Sequence, residues 1–347
     1  MQQLKELRHR NTLKLLNYTP TKILIEDGQP SVISTESNVI NGSCIQCNTP
    51  SCMMFSPNEV NNNLIENFAA DNDLMVCHVE AMSWDNTVEL PVIDIDKCIM
   101  CGLCAQRCPT GAIFYLDGTL KINYDNENTS TLPFTEENVY KQTNFINKLK
   151  ETPREGCLIF ENNTILKMIY NKIEQIKKNH FIPEKFIRNL MIGLGSNCSS
   201  RRVGDVYFRM DAVYSINQDS FGVIEVEFGS DTLSALRNIM DDIAVLHSRY
   251  SKCKNENIPI VVCLDLPNMR QGYWQLIKDI HIVENIKVQT ISVAALLILL
   301  WNHVKFNLKT VEFYADFDSQ TIRQAINNTL NRTVNITKNT GFLEPKK

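Results

Sequence analysis

The stretch Cys98-Ile99-Met100-Cys101-Gly102-Leu103-Cys104-Ala105-Gln106-Arg107-Cys108-Pro109-Thr110-Gly111-Ala112-Ile113 sets four thiols at C-x2-C-x2-C-x3-C-P. Three cysteines at intervals of three let one short loop wrap a polynuclear iron–sulfur core, each sulfur reaching a different corner. The fourth, followed by Pro109, leaves that loop and can ligate elsewhere. Zinc is the competing reading, but zinc ligands usually come as two separated pairs rather than one dense run.

A looser array lies upstream, Cys44-Ile45-Gln46-Cys47-Asn48-Thr49-Pro50-Ser51-Cys52-Met53-Met54-Phe55-Ser56-Pro57, spaced C-x2-C-x4-C-x3-S-P. The later run, from Val92-Ile93-Asp94-Ile95-Asp96-Lys97-Cys98 to Ile113, closely resembles the second half of a two-cluster bacterial ferredoxin. The upstream array resembles the first half, with a two-residue insertion and with Ser56 where the fourth cysteine belongs. The resemblance covers residues 42–120 and implies an α+β ferredoxin-like domain, a pseudo-twofold pair of βαβ units.

Crossed ligation is part of that resemblance. It implies one cluster on Cys44, Cys47, Cys52 and Cys108, and another on Cys98, Cys101 and Cys104 with a place still to fill. Three outcomes stay open there: Ser56 ligates as alkoxide, Cys77 from the long insertion substitutes, or the cluster lacks one iron and is 3Fe-4S. Thiolate is the better ligand for soft iron, which favours Cys77. A C-x7-C reading across Cys44 and Cys52 would leave Cys47 out; two 4Fe-4S clusters are the reading taken. Cys157, Cys198, Cys253 and Cys263 sit in scattered contexts and read as ordinary core or surface residues.

The chain of 347 residues is 44% hydrophobic and 21% charged, enough for real cores and unlike a disordered chain. A net charge of −4 gives no global basic field, so a nucleic-acid partner would have to be met by a local patch. Eight of the twelve cysteines lie between residues 44 and 108, spaced for thiolate ligation in a reducing compartment rather than for disulfides. The polar start Met1-Gln2-Gln3-Leu4-Lys5-Glu6 is not a signal peptide, so a cytoplasmic protein is expected. The longest apolar run, Val293–Trp301, is too short to span a bilayer and reads as a buried helix, so no membrane partner is expected.

Five segments follow from composition. Residues 1–40 are an N-terminal extension, with a short basic helix carrying Lys5, Arg8, Arg10 and Lys14 and then an extended Lys22-Ile23-Leu24-Ile25. Residues 41–120 are the iron–sulfur domain, residues 121–155 a polar linker with at most one helix, residues 156–330 a second domain, and residues 331–347 a polar tail. In the second domain, residues 164–178 and 184–192 have helical periodicity. Residues 206–213 and 223–228 then read as strands. A helix with apolar Leu233, Leu236, Met240, Ile243 and Leu246 follows, then an apolar strand over 258–264, a helix near 271–284 and a strand near 286–292.

On the strand Val223-Ile224-Glu225-Val226-Glu227-Phe228, alternation puts Glu225 and Glu227 on one face and Ile224, Val226 and Phe228 on the other. A strand with one solvated face would show the same pattern. The order helices, strand, strand, helix, strand over residues 160–310 resembles the PD-(D/E)xK core of restriction endonucleases. The resemblance implies an α/β domain with a mixed central sheet. It makes Asp211 the opening aspartate and Glu225 the acid of the acid-x-lysine pair, with Asp205 a weaker alternative to Asp211. Glu227 stands where that family usually has lysine.

The implied chemistry is DNA phosphodiester hydrolysis, as in restriction or phage defence. Asp211 and Glu225 would supply hard oxygen ligands to Mg2+, with Glu227 beside the attacking water and Arg201, Arg202 and Arg209 near phosphates. Cutting both strands of a duplex favours a homodimer. Two alternatives belong to other classes: a ferredoxin-type electron-transfer protein, with a redox partner and a partner-binding C-terminal domain, or an inactive nuclease fold that binds nucleic acid.

Overall fold

The computed structural model describes residues 12–16, 23–26, 29–32, 44, 46–47, 49–60, 65, 68, 70–87, 90–116, 118–124, 129–133, 140, 143–144, 146–147, 157–177, 182–204, 209–216, 220–253, 256–305, 307, 312–315 and 320–347. In chain order its elements are β1 (Thr12–Leu16), β2 (Ile23–Glu26), β3 (Gln29–Val32), α1 (Pro57–Val60), β4 (Met82–Asp85), β5 (Leu90–Ile93), α2 (Leu103–Arg107), β6 (Ile113–Leu116), β7 (Thr119–Ile122), β8 (Thr129–Pro133) and α3 (Asn163–Ile176). There follow α4 (Ile182–Gly193), β9 (Asn197–Ser200), β10 (Ala212–Ile216), β11 (Ser220–Glu227), α5 (Thr232–Tyr250), β12 (Ile260–Cys263), α6 (Tyr273–Glu284), β13 (Gln289–Ser292), α7 (Val293–Trp301) and α8 (Ile322–Leu330). They fall into two compact units. The first spans Met1–Phe55, Met75–Phe160 and Trp301–His303; the second spans Ser56–Leu74, Glu161–Leu300 and Val304–Lys347.

The first unit is built from antiparallel strand pairs: β1 with β8, β2 with β3, β4 with β5 and β6 with β7. Hairpins β4–β5 and β6–β7 flank the cysteine run, whose only helical part is α2. The expected basic helix meets a strand here: Lys14 lies in β1, while Lys5, Arg8 and Arg10 lie outside the described residues. Part of the expected linker is also a strand, since β8 pairs with β1 from Thr12 opposite Pro133 to Leu16 opposite Thr129. Local composition hid this pairing, because a short polar Thr-Ser-Thr run becomes a strand only when a partner distant in sequence reaches it.

At Met54 and Met75 a β-bridge, with Val76 N–H donating to Met53 O at 2.9 Å, closes the neck of the insertion between them. The inserted residues 56–74 belong to the second unit and pad its sheet edge. Asp71 N–H donates to Ser200 O at 2.8 Å, Ala70 bridges to Arg201, and Ser199 Oγ donates to Val60 O at 2.6 Å. Edge strand β9 is thereby covered rather than left to recruit another chain.

The second unit is organised by a five-stranded mixed sheet in the order β13-β12-β11-β10-β9. Strands β9, β10 and β11 run antiparallel, and β11, β12 and β13 run parallel. Parallel neighbours need a crossover, and α5 and α6 supply the two. Every residue of β12 and β13 is buried, as parallel strands covered on both faces require. The apolar run 293–301 is the fully buried helix α7. On α5 the inward stripe is Ala235, Leu236, Ile239, Asp242, Ile243 and Leu246, while Leu233, expected inside, is exposed. The expected polar tail is part of this core: Val334, Ile336, Phe342 and Leu343 are buried, and Arg323 Nε donates to Glu344 Oε1 at 2.8 Å.

Candidate functional site

The thiols gather in two groups in the first unit. Cys44, Cys47, Cys52 and Cys108 line one cavity, walled by Trp84 and Ile122. Burial pushes the Cys52 thiol up, and the Cys108, Cys47 and Cys44 thiols push it further, with a smaller contribution from Cys104. In the second group, burial pushes Cys101 up, the Leu103 N–H works against this, and the Cys77 and Cys98 thiols add to it. Cys104 is raised by burial and then by Cys101, Cys98 and Cys77. Four crowded, desolvated thiols are poor company for one another as anions, and a soft cation among them removes the conflict.

The backbone prepares both groups. Gln46 and Met100 hold matching places in the two C-x2-C loops, and both take left-handed backbone, with φ of 49° and 61°. Met100 N–H turns to Cys98 Sγ at 3.3 Å, and Gly102 follows with φ of 80°. A Cβ at Gly102 would lie 3.1 Å from Ile159 and 3.2 Å from Trp301, so both space and backbone favour glycine. Trp301 Nε1–H donates to Cys101 O at 2.9 Å and steadies the same loop. None of the twelve cysteines is in a disulfide.

Cys77 reaches its group through a relay of backbone bonds. Its Sγ accepts Ala81 N–H at 3.2 Å. Ala81 O accepts Asp94 N–H at 2.7 Å, and Asp94 O accepts Cys98 N–H at 2.9 Å. The Ser56 hydroxyl, in the second unit, donates to Glu59 Oε2 at 2.9 Å. The same carboxylate oxygen accepts the Ser56 N–H at 2.7 Å.

The acids gather in the second unit. Ala212 pairs with Ile224 across β10 and β11, so the next pair outward is Asp211 with Glu225, on one face. Asp211 stands just before β10 rather than inside the expected strand, and Asp205 lies outside the described residues. Asp211 Oδ2 accepts Val226 N–H at 2.9 Å, and Glu225 Oε1 accepts Asn238 Nδ2–H at 2.8 Å. Burial pushes both carboxyls up. The Val226 N–H and Arg201 hold Asp211 back, whereas Asp211 pushes Glu225 higher still. Glu227 acts on both but its Oε1 accepts the Gly229 N–H at the sheet's exposed rim.

Two acids that the sequence reading did not single out join them. Glu184, in the first turn of α4, is pushed up to about 7 by burial and then by Asp211. Asp242, on α5, is pushed up to about 7 by burial and then by Asp211 and Asp241. Asp242 stands on the inward stripe of α5, where an apolar residue is expected, and that was the available signal; Glu184 is half-buried and gave none. Arg201 opposes the shifts of Glu184, Asp211 and Asp242, with Arg209 also opposing that of Asp242; Arg202 is exposed. Among the described residues no three His, Cys, Asp or Glu side chains converge as ligands of a single metal ion. A polynuclear cluster does not need such convergence, since each thiolate takes its own iron, and Mg2+ can use one or two carboxylates plus water.

Residues 91–114 match the model of the 4Fe-4S binding domain. That segment contains Cys98, Cys101, Cys104 and Cys108, so the chain carries an iron–sulfur, ferredoxin-like module. No curated protein and no solved structure matches the chain. Among the described residues no helix is long and apolar enough to cross a membrane.

Proposed function

We propose that this iron–sulfur protein is a divalent-cation-dependent nuclease acting on DNA, with the reaction in the second unit. One observation carries the reading: half-buried Asp211 and buried Glu225, opposite one another where β10 meets β11, share their surroundings with Glu184, Asp242 and Arg201. Buried carboxylates that raise one another toward neutrality cost stability, and function is the usual reason to keep them. The order α4-β9-β10-β11-α5-β12 supports a restriction-endonuclease-like core, with Asp211 and Glu225 at the two acid positions.

Asp211 and Glu225 would hold the Mg2+, which when bound supplies a Lewis acid for the phosphoryl oxygen and lowers the pKa of a bound water. Arg201 offers guanidinium donors to a phosphate beside the acids. Asn238 orients Glu225, and Glu227 at the rim offers a carboxylate to accept a proton from water. In the first unit Cys44, Cys47, Cys52 and Cys108 would hold one 4Fe-4S cluster, and Cys98, Cys101, Cys104 and Cys77 the other. The hydrogen-bond relay from Cys77 to Cys98 supports Cys77 over Ser56. Such clusters supply one-electron chemistry, and amide donors to sulfur such as Ala81 and Met100 N–H tune it. A reducing compartment goes with this reading.

The test is incubation of anaerobically purified protein with supercoiled plasmid and Mg2+, with and without dithionite and with chelator as control. Chelator-sensitive nicking or linearisation is expected. Intact plasmid under every condition sinks the nuclease reading. An inactive fold that binds nucleic acid is the second reading, and Glu227 in place of lysine, already taken by Gly229 N–H, favours it.

A further inference from the structure

A cavity of about 380 Å3 opens in the second unit, between the C-terminal half of α6, the turn into β13 and the segment that precedes α8. It shares no lining residue with the acid group. Its volume falls in the range of small-molecule sites. One wall is fixed to the sheet, since Thr290 N–H of β13 donates to Phe313 O at 3.1 Å. Lys278 and His281, three residues apart on α6, share the helix face that meets the cavity. Lys287, Glu312, Tyr314 and Gln320 complete the polar lining.

This lining carries unused bonding capacity. His281 Nδ1 is closed off from solvent and meets no hydrogen-bond partner, a cost that an apolar residue would avoid. The His281 ring stands edge-on to Tyr314, with 5.6 Å between centroids. Lys287 Nζ lies 3.0 Å from Glu312 Oε2 and 5.8 Å from the centre of the Tyr314 ring. That ion pair is exposed, so it adds little stability and can open to a ligand. Gln320 donates one amide hydrogen to Glu312 O at 2.5 Å, which leaves its second hydrogen and its Oε1.

Charge and shape then narrow the ligand. Two ammonium groups against one carboxylate leave the lining net positive. The negative end of α6, worth roughly half a charge, does not reverse the sign. A net positive cavity attracts an anion. Bare phosphate would leave most of the volume unfilled. What remains is an aromatic ring and an amide with one donor and one acceptor, the pairing that reads N7 and N6 of adenine. We infer that this cavity binds an adenine mononucleotide. The phosphate lies at Lys278 and Lys287, the base at Tyr314 and Gln320, and His281 Nδ1 bonds the sugar between them. Nothing in this assignment depends on the reaction at the acids.

Equilibrium dialysis of the full chain, purified anaerobically with its clusters, tests it with AMP as the probe. Chelator is present throughout, so that no cation at the acids captures the phosphate. One AMP per chain is expected. Adenosine, inorganic phosphate and uridine monophosphate should each bind at least ~10-fold more weakly, the worth of one charge-assisted hydrogen bond or more. Lys278→Gln should weaken AMP about tenfold and leave adenosine unchanged. In the wild type, AMP should slow hydrogen–deuterium exchange at residues 278–287 and 312–315, a readout that poor folding of the variant does not blunt. No binding at millimolar AMP, a competitor as tight as AMP, full affinity in Lys278→Gln, or binding without slowed exchange in those two segments overturns the site.

Discussion

The thiol groups and the acid group are assembled in opposite ways. In the first unit most of the proposed ligand set is written in two short loops, with C-x2-C spacing and left-handed backbone at Gln46 and Met100. In the second unit Glu184, Asp211, Glu225 and Asp242 come from α4, the approach to β10, β11 and α5, and only the sheet brings them together. A site built from one loop can be read from spacing. A site built from four elements needs the fold first.

The sharpest way to break this comparison is to remove a loop thiol. Cys101→Ala should lose a whole cluster, taking iron from ~8 to ~4 per chain, the content of two and of one four-iron cluster. Iron assay with visible absorbance checks it, and unchanged iron would show that the loop is not the cradle. Buried Leu343 tests the other unit, because its packing joins the terminal segment to the core. Leu343→Ala should cost about 2–5 kcal/mol, as buried leucine truncations do, and urea unfolding followed by circular dichroism reads it. A loss below ~0.5 kcal/mol would mean the segment is a surface tail after all.

A smaller effect separates Cys77 from Ser56. Cys77→Ala should convert one cluster to a three-iron form, seen by electron paramagnetic resonance after oxidation, while Ser56→Ala leaves iron content unchanged. The reverse pattern would return the fourth ligand to Ser56. The smallest effect is in pH. Glu184 and Asp242 lie near 7 in the folded protein, above the ~4 of an unfolded carboxyl. The folded state therefore holds protons that the unfolded state releases. Stability is gained as pH falls through 7 and lost as it rises. Cation-free protein should melt several degrees lower at pH 8 than at pH 5.5, and Mg2+ should narrow the gap. A melting temperature flat across that range would show the acids to be well solvated.

How much was legible follows the same division. The spacing of Cys98 to Cys108 was sufficient for the iron–sulfur reading, and periodicity placed α3, α4 and buried α7 close to their observed bounds. Glu225 and Glu227 could be singled out from sequence because alternation on one strand is local. Asp242 was passed over because its helix still reads as amphipathic with one polar interruption, and Leu233 was placed inside because a stripe's edge is ambiguous without its partner. Pairing of β1 with β8, and burial of the terminal segment around Phe342, depend on contacts far apart in sequence and leave no periodic trace.

The central claim is that one chain carries two chemically separate centres, thiols for iron and acids for a catalytic cation. It is tested most directly by assaying Asp211→Asn and wild type from parallel anaerobic preparations for iron and for Mg2+-dependent plasmid cleavage. The account predicts equal iron, the same brown absorbance, and cleavage reduced by at least ~100-fold, since even an outer partner of a metal ligand is worth 10–100-fold. Equal cleavage by both proteins would contradict it, as would loss of iron together with loss of activity.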